Sequence, residues 1–309
     1  ERLGDYATLL VVPVFIRLMT SFGFETLINK KLPELGIHDS LGDKARYLVG
    51  RLLVFRLAIT TLFCFLIYHF LSYYFDFINN PELIEFRWAL ILYFFVITVD
   101  SLLSTLFMTL LRFKTLAKTE TLGSLLNLVF LIVFIRLDYG IYAVLYAYII
   151  SIGITSIIYL ILARDQYLGA IKKPKFDDMG HLALVSYGIG FLGFGLMAQS
   201  DVLLMNFFKV GRADIGLYFL ATGLGAAMAF LLAGVAPMAL SLFSETYAKD
   251  GIKSLGNLYC QIVGFSAYLT IPVYVFCVLN SSLLIDFIYG SIFLEGTRAL
   301  AVYAALAGI

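Results

Sequence analysis

Long apolar blocks separated by short polar turns are the dominant pattern along this chain. They cover residues 6–28, 48–75, 88–111, 121–137, 141–163, 181–206, 217–241 and 259–288, and a further block begins at 298. A transmembrane α-helix needs about 20 predominantly apolar residues. Apolar residues fill most positions of each block instead of following one helix face, which indicates helices that face lipid. The pattern predicts an all-α integral membrane protein with eight complete spans and part of a ninth.

The composition supports a membrane location and argues against several other classes. Hydrophobic residues make up 61% of the 309 residues and charged residues only 14%, whereas a soluble domain carries about 25% charged residues. The net charge of +1 and the lack of a long basic run in the sequence argue against a nucleic-acid partner. Cys64, Cys260 and Cys277 lie in apolar blocks without a CxxC or Cys/His spacing. We therefore expect buried cysteines, no metal site and no cofactor.

Lysine and arginine residues are concentrated in alternate loops, which predicts the orientation of the chain. The loops after the first, third, fifth and seventh spans hold 13 of the 22 basic residues. We expect these loops to be cytoplasmic, so that the chain begins on the outer side. The sequence has no visible signal peptide, begins with Glu1 and ends at Ile309 within an apolar block. We therefore expect an internal piece of a longer protein, with at least one span upstream.

Several short motifs follow one another in an order that is typical of one family. The first half contains LGDYATLL at 3–10, SFGFETLINKKLPEL at 21–35 and a tight turn at 138–140 with the sequence Asp-Tyr-Gly. The second half contains Tyr187-Gly188, Asp201 followed by Val-Leu-Leu-Met, Gly211, Gly216-Leu217-Tyr218, Ala221, Pro237, Pro272, Leu284-Ile285 and Tyr289-Gly290. In this order and spacing the motifs resemble the O-antigen and capsular-type polysaccharide (lipid-linked oligosaccharide) flippases of the multidrug/oligosaccharidyl-lipid/polysaccharide exporter superfamily.

The resemblance implies a fold of about 12 to 14 spans in two lobes that works by V-shaped alternating access. Residues 1–163 would form the N-lobe with its first span missing, 164–180 a cytoplasmic linker and 181–309 a truncated C-lobe. The implied cargo is an oligosaccharide on a polyprenyl diphosphate, moved from the cytoplasmic to the outer leaflet of the bacterial cytoplasmic (inner) membrane for O-antigen, capsule or exopolysaccharide synthesis. The implied partners are this lipid-linked oligosaccharide, membrane lipids, a coupling cation or proton, and a polysaccharide polymerase or ligase.

A charged residue in the first predicted span is the first candidate for cargo binding. Arg17 lies near the middle of the 6–28 block, four residues after Pro13. Proline leaves a carbonyl of the preceding turn unbonded and permits a kink. A charge at mid-bilayer costs about 2.5–3.5 kcal/mol on insertion scales, and a guanidinium can bind a diphosphate bidentately. Arg17 is therefore expected either to bind the diphosphate or to pair with an acid and only hold helices together.

Two acidic residues within predicted spans are candidates for ion coupling. Asp100 lies at mid-depth in the third span, among several serine and threonine residues. It is expected either to form a structural ion pair with Arg17 or to bind a coupling proton or cation. Asp201 lies in the outer part of the sixth span, near Gln199 and Asn206. Coupling or gating is one interpretation of Asp201, and a polar contact between lobes is the other.

Two further arginines, Arg51 and Arg56, stand near the cytoplasmic end of the second span. One interpretation is that their side chains extend along the helix to place the charge at the interface. The other is that they form a basic lip where an anionic lipid head group enters, and so bind the substrate.

Small residues recur at every fourth position of the seventh span, at Ala221, Gly225, Ala229, Ala233 and Pro237. Such a stripe permits close contact between helix backbones. The sequence therefore predicts either tight helix packing or a smooth sliding face at this position.

Two alternative functions predict features that differ from those of a flippase. A cation-coupled multidrug exporter of the same superfamily should place acidic residues in its cavity, whereas the first span offers Arg17. A membrane enzyme that polymerises or ligates glycans usually carries a large outer loop with catalytic residues. The longest predicted outer loop, 76–87, holds Asp76, Glu82 and Glu85 but no histidine, and the loops contain no nucleophile–base pair. The sequence therefore favours a flippase and not an enzyme.

Overall fold

The computed structural model describes residues 2–36, 43–110, 112–167, 181, 184–189, 192, 200–233 and 235–307. Every regular element within these residues is a helix. The α-helices are α1 (Arg2–Met19), α2 (Phe24–Gly36), α3 (Asp43–Phe77), α4 (Arg87–Thr109), α5 (Phe113–Arg136), α6 (Ile141–Tyr167), α7 (Ser200–Phe207), α8 (Arg212–Ala233), α9 (Val235–Leu279), α10 (Ser281–Tyr289) and α11 (Thr297–Ala307). Two short 3-10 helices cover Pro81–Phe86 and Ser291–Gly296.

Five helical stretches of the described chain are long and apolar enough to cross a membrane. They are Ala45–Phe77, Pro81–Thr109, Phe113–Arg136, Ile141–Asp165 and Gly251–Leu279. Large apolar side chains cover their outer faces; Leu125 and Ile132 of α5, for example, are 57% and 51% exposed. Exposed apolar faces of this extent belong in lipid. The chain is therefore an all-α, multi-pass membrane protein, while the number of spans beyond these five stays a prediction.

The helices of residues 8–209 pack into one compact unit. Within it α4 packs against α2, α3, α5 and α6. One buried cluster joins α2, α3, α4 and α6 and includes Ile28, Leu102, Leu106 and Tyr159. A second joins α1, α3, α4 and α6 and includes Phe75, Phe94 and Leu145. In lipid, such contacts stabilise the bundle through van der Waals packing rather than through exclusion of water.

Residues 1–7 and 210–309 form the other compact unit. Its core includes Ala221, Leu224, Ile285 and Leu300. The predicted lobe boundary stays a prediction, because residues 168–180 of the proposed linker lie outside the described part of the chain.

The first apolar block does not form one helix. Helix α1 ends at Met19, and α2 begins at Phe24 after a four-residue turn. Phe22 and Gly23 have φ angles of 45° and 70°, which a right-handed helix cannot contain. The prediction of a continuous span over 6–28 is therefore wrong. Arg17 lies in the last turn of α1 and not at the centre of a span.

The block at 259–288 is also divided, because α9 ends at Leu279 and α10 begins at Ser281. The cysteines follow the prediction only in part. Cys277 is buried and Cys64 is half-buried, but Cys260 is exposed. In a lipid-facing helix an exposed thiol carries little penalty because it behaves as a small apolar group.

The small-residue stripe of α8 makes a close contact at Gly225. A Cβ atom at this position would collide with the ring of Tyr303 on α11. A Cβ atom at Gly223, two residues earlier, would meet nothing within 4 Å. The structure thus confirms tight packing at Gly225. The side chains of Ala229, Ala233 and Pro237 lie outside the described part of the stripe.

We expect Gly225→Val to destabilise the unit that contains α8, because the added atoms overpack the contact with Tyr303. Overpacking of this kind costs about 1–3 kcal/mol. The thermal unfolding midpoint of the purified protein in detergent should fall, and Gly223→Val serves as the matched control. Equal midpoints for the two variants would contradict this packing.

Candidate functional site

The end of α1 carries Arg17, the first candidate for cargo binding. Pro13 lies inside the helix and Arg17 lies in its last turn, half-buried. The hydroxyl of Thr20 donates to the Arg17 carbonyl oxygen at 2.9 Å and so terminates the helix. Among the described residues, no carboxylate forms an ion pair with the Arg17 guanidinium. Ligand binding by Arg17 stays a prediction.

Asp100 is not the partner of Arg17. One carboxylate oxygen of Asp100 accepts hydrogen bonds from the hydroxyls of Thr155 and Ser156 on α6, at 3.1 and 3.0 Å. These bonds connect the middle of α4 to α6. The predicted ion pair between Asp100 and Arg17 is thus wrong in this conformation, and the alternative of ion coupling stays open.

Asp100 lines a polar pocket of about 280 Å³ between α4, α5 and α6. Its lining residues are Asp100, Glu120, Gly123, Ser124, Asn127, Tyr148, Ser151, Ile152 and Thr155. Glu120 accepts a hydrogen bond from the Tyr159 hydroxyl at 2.8 Å, and the Asn127 amide donates to the Ser151 hydroxyl at 3.3 Å. We call this site the acidic pocket, because two carboxylates, Asp100 and Glu120, line it.

Sequence reasoning missed Glu120. Helix α5 begins at Phe113, eight residues before the predicted start of the span, so that Glu120 lies within the helix and not in a loop. A signal was present in the spacing. Glu120, Ser124 and Asn127 follow an i, i+4, i+7 pattern, which places them on one helix face.

Arg56 is buried inside the bundle. Its side chain is 1% exposed, and its guanidinium lies 3.0 Å from a carboxylate oxygen of Glu25. It also donates to the backbone carbonyl oxygens of Thr20, at 2.6 Å, and Thr98, at 3.4 Å. The interpretation that Arg56 extends to the membrane interface is therefore wrong. Direct binding of cargo by Arg56 stays a prediction.

Glu25 lies inside the apolar block 6–28, so that hydropathy alone does not mark it as the partner of a buried charge. The Ser101 hydroxyl donates to the same Glu25 oxygen at 3.0 Å. Thr20, Glu25, Arg56, Thr98 and Ser101 form a set of polar contacts that we call the Arg56 network. It joins the turn after α1 to α2, α3 and α4.

Arg51 lies in a different environment from Arg56. Its side chain is exposed, and it lines a separate pocket of about 450 Å³ between α3 and the end of α6.

Asp201 is half-buried in α7, and the lining of the acidic pocket does not include it. On the same helix, buried Asn206 donates to the Thr8 hydroxyl at 3.1 Å and so ties α7 to α1. Gln199 lies outside the described residues.

A larger, apolar groove of about 620 Å³ runs between α1, α3 and α7. Its lining includes Phe15 and Ile16 of α1, Phe63 and Phe70 of α3, and Leu203 of α7. The groove offers almost no polar atoms. Its walls therefore suit a hydrocarbon chain and not a sugar.

A model of a protein family described as "Polysaccharide biosynthesis protein" matches residues 1–297. The match covers nearly all of the sequence. The chain belongs to this family. No curated protein matches the sequence of this chain.

Two solved structures have the same fold. The first is described as the inward-facing conformation of a multidrug resistance MATE family transporter of the MOP superfamily. It has a TM-score of 0.71 and 17% identity, and the match covers 100% of this chain and 75% of that one. The second is an outward-facing conformation of such a transporter, with a TM-score of 0.65, 18% identity and coverage of 98% and 70%. The family match links the chain to polysaccharide biosynthesis, and the two structural matches show its fold.

We expect Glu25→Ala to destabilise the protein strongly, because it leaves the buried Arg56 guanidinium without its carboxylate partner. Removing one member of a buried pair costs about 3–5 kcal/mol. The unfolding midpoint in detergent should fall clearly below that of the wild type.

The matched control for this variant is Asp165→Ala, because Asp165 pairs with Arg164 at 3.6 Å on the exposed surface. An exposed pair contributes about 0–1 kcal/mol. Similar unfolding midpoints for Glu25→Ala and Asp165→Ala would contradict the prediction that the Arg56 network stabilises the protein.

Proposed function

We propose that the protein is a flippase for an oligosaccharide linked to polyprenyl diphosphate. It moves this lipid from the cytoplasmic to the outer leaflet of the bacterial cytoplasmic membrane, for the synthesis of O-antigen, capsule or exopolysaccharide. The family match supports a role in polysaccharide biosynthesis, and the fold supports transport. The observation that carries the proposed cargo is that the Arg17 guanidinium forms no ion pair with a carboxylate of the described residues.

An anionic cargo explains this arginine better than a cationic one. A charge within an apolar helix bundle is costly unless a counter-charge compensates it. The pairing that would have neutralised Arg17, with Asp100, is not formed. A diphosphate offers several acceptor oxygens to the planar guanidinium. A cation-coupled exporter of cationic drugs, the alternative within the superfamily, would gain nothing from a cation at this position.

The apolar groove supports a lipid-linked cargo. It lies along α1, the helix that carries Arg17, and its apolar walls suit an isoprenoid chain. In the proposed mechanism the diphosphate binds Arg17, the sugar crosses in a hydrated cavity and the isoprenoid chain stays in an apolar environment. Alternating access then requires no covalent chemistry.

The acidic pocket is the proposed site of ion coupling. Asp100 and Glu120 provide two carboxylates, and Thr155, Ser151 and Asn127 provide further oxygen atoms. Oxygen donors suit hard cations, and carboxylates also suit protons. A proton or a cation is therefore the proposed coupling ion. For Asp201, coupling or gating stays a prediction.

Replacement of Arg17 tests the cargo proposal. Arg17→Ala should abolish surface glycan while the amount of protein in the membrane stays at the wild-type level, because only the contact with the diphosphate is lost. Arg17→Lys retains the charge but not the planar donor group, and we expect it to restore glycan only in part.

The readout is the amount of surface glycan for a fixed amount of membrane protein. A control is Arg136→Ala, because Arg136 is exposed at the end of α5. Wild-type glycan in Arg17→Ala would exclude Arg17 from the mechanism. Binding of cationic dyes with no binding of polyprenyl diphosphate would instead favour the drug exporter.

Neutralisation of the acidic pocket tests the coupling proposal. Asp100→Asn and Glu120→Gln should each abolish the dependence of transport on an imposed proton or sodium gradient in proteoliposomes. Asp138→Asn is the matched control, because Asp138 is exposed in a turn with φ of 58°, which asparagine also adopts. If both pocket variants still show gradient-dependent transport at the wild-type rate, the coupling ion does not bind in the acidic pocket.

A further inference from the structure

A second pocket, of about 450 Å³, lies where the first turns of α3 meet the end of α6. Helix α3 provides Arg46, Tyr47, Gly50, Arg51, Val54 and Phe55, and α6 provides Tyr167. We call it the basic pocket. By the distribution of lysine and arginine, this end of α3 is predicted to be cytoplasmic. The basic pocket shares no lining residue with the acidic pocket or the apolar groove.

The pocket is built by close contact between the two helices. At Gly50 a Cβ atom would lie 3.2 Å from the carbonyl oxygen of Tyr167, so that a larger residue would push the helices apart. The Tyr167 hydroxyl donates to the Leu160 carbonyl oxygen at 3.0 Å. This bond fixes the tyrosine ring beside the pocket. Gly50 and the Tyr167 ring are therefore held in place in the absence of a ligand.

Within the described part of the chain, the two arginines of the pocket have no acidic partner. The Nε atom of Arg46 is buried and has no hydrogen-bond partner. Neither Arg46 nor Arg51 forms an ion pair with a described acidic residue, and the lining contains no carboxylate. A buried donor without an acceptor is unfavourable. An anion with several oxygen atoms would satisfy both guanidinium groups.

The rest of the pocket is apolar. Val54 and Phe55 lie about one helical turn after Arg51 and more than two turns after Arg46, and they are 67% and 51% exposed. The same exposed side of α3 continues to Leu62 and Phe65. A soluble phosphate would match only the basic end. A lipid with a phosphate head group matches the basic end and the apolar side together.

We propose that the basic pocket binds the phosphate head group of an anionic phospholipid of the cytoplasmic leaflet, with an acyl chain along Val54 and Phe55. Arg46 and Arg51 hold the phosphate, and the flanking tyrosines lie at the level of the head groups, where tyrosine is favoured. We assign the pocket to a membrane phospholipid and not to the transported lipid, because its lining shares no residue with the apolar groove along α1 that the cargo is proposed to use. The site is thus separate from the proposed transport route and independent of the cargo.

The test measures lipid binding to the purified full chain in detergent by native mass spectrometry. The probes are dioleoyl phosphatidylglycerol and, as the neutral comparison, dioleoyl phosphatidylcholine. Each arginine near a charged lipid surface contributes about 1 kcal/mol, which is about fivefold in affinity. We expect Arg46→Gln and Arg51→Gln each to weaken phosphatidylglycerol binding about fivefold, and the double variant about thirtyfold.

The matched control is Arg112→Gln, because Arg112 is exposed outside the pocket, and it should bind as the wild type does. Unfolding midpoints of the lipid-free variants check the fold. Arg51→Gln keeps the test valid if the double variant fails to fold, since Arg51 is exposed. Equal binding of both phospholipids by the wild type, or an equal loss in Arg112→Gln, overturns the proposal.

Two competition experiments, one with inorganic phosphate and one with a polyprenyl phosphate, identify which kind of phosphate compound the pocket binds. Inorganic phosphate should not displace phosphatidylglycerol, because it lacks the chain that contacts Val54 and Phe55. Displacement by a polyprenyl phosphate at equal concentration would overturn the assignment to a phospholipid and make the pocket a loading site for the cargo. Failure of the pocket variants to bind lipid leaves the Arg17 experiment unaffected, so the two proposals fail separately.

Discussion

The ion pair between Arg56 and Glu25 holds together the part of the bundle that carries the candidate cargo residue. A guanidinium inside an apolar bundle requires acceptors, and Thr20, Glu25 and Thr98 supply them from three elements. Thr20 has two functions in this arrangement. Its carbonyl oxygen accepts from Arg56, and its hydroxyl donates to the Arg17 carbonyl oxygen. The buried pair thus positions the last turn of α1.

The cost of charge in lipid gives three neighbouring arginines three different environments. Arg56 has a carboxylate and two carbonyl oxygens, Arg51 lies at an exposed pocket, and Arg17 has no acidic partner among the described residues. Arg51 and Arg56 are five residues apart, which turns their side chains about 140° from each other around an α-helix. Helix geometry alone therefore separates two residues that look equivalent in the sequence.

The sequence predicted the helical class and the positions of α3, α4 and α6 well, because lipid requires long apolar helices and few patterns imitate them. The sequence-based prediction of helix bounds was wrong in two situations: where polar residues form part of a helix, and where a helix ends inside an apolar block. The first two turns of α5 contain Lys114, Lys118 and Glu120 and look like a loop. The turn at Phe22 and Gly23 lies within apolar sequence, so that hydropathy conceals both the break and the Arg56 partner at Glu25.

Helix α9 contains 45 residues. Without interruption it would measure about 68 Å at 1.5 Å per residue, more than twice the thickness of the hydrocarbon core. Gly251, with φ of 78° and ψ of −174°, breaks the helix, and the 29 residues from Gly251 to Leu279 match one crossing of the bilayer. A single glycine with a positive φ thus marks the boundary between a segment of membrane length and the helix that precedes it.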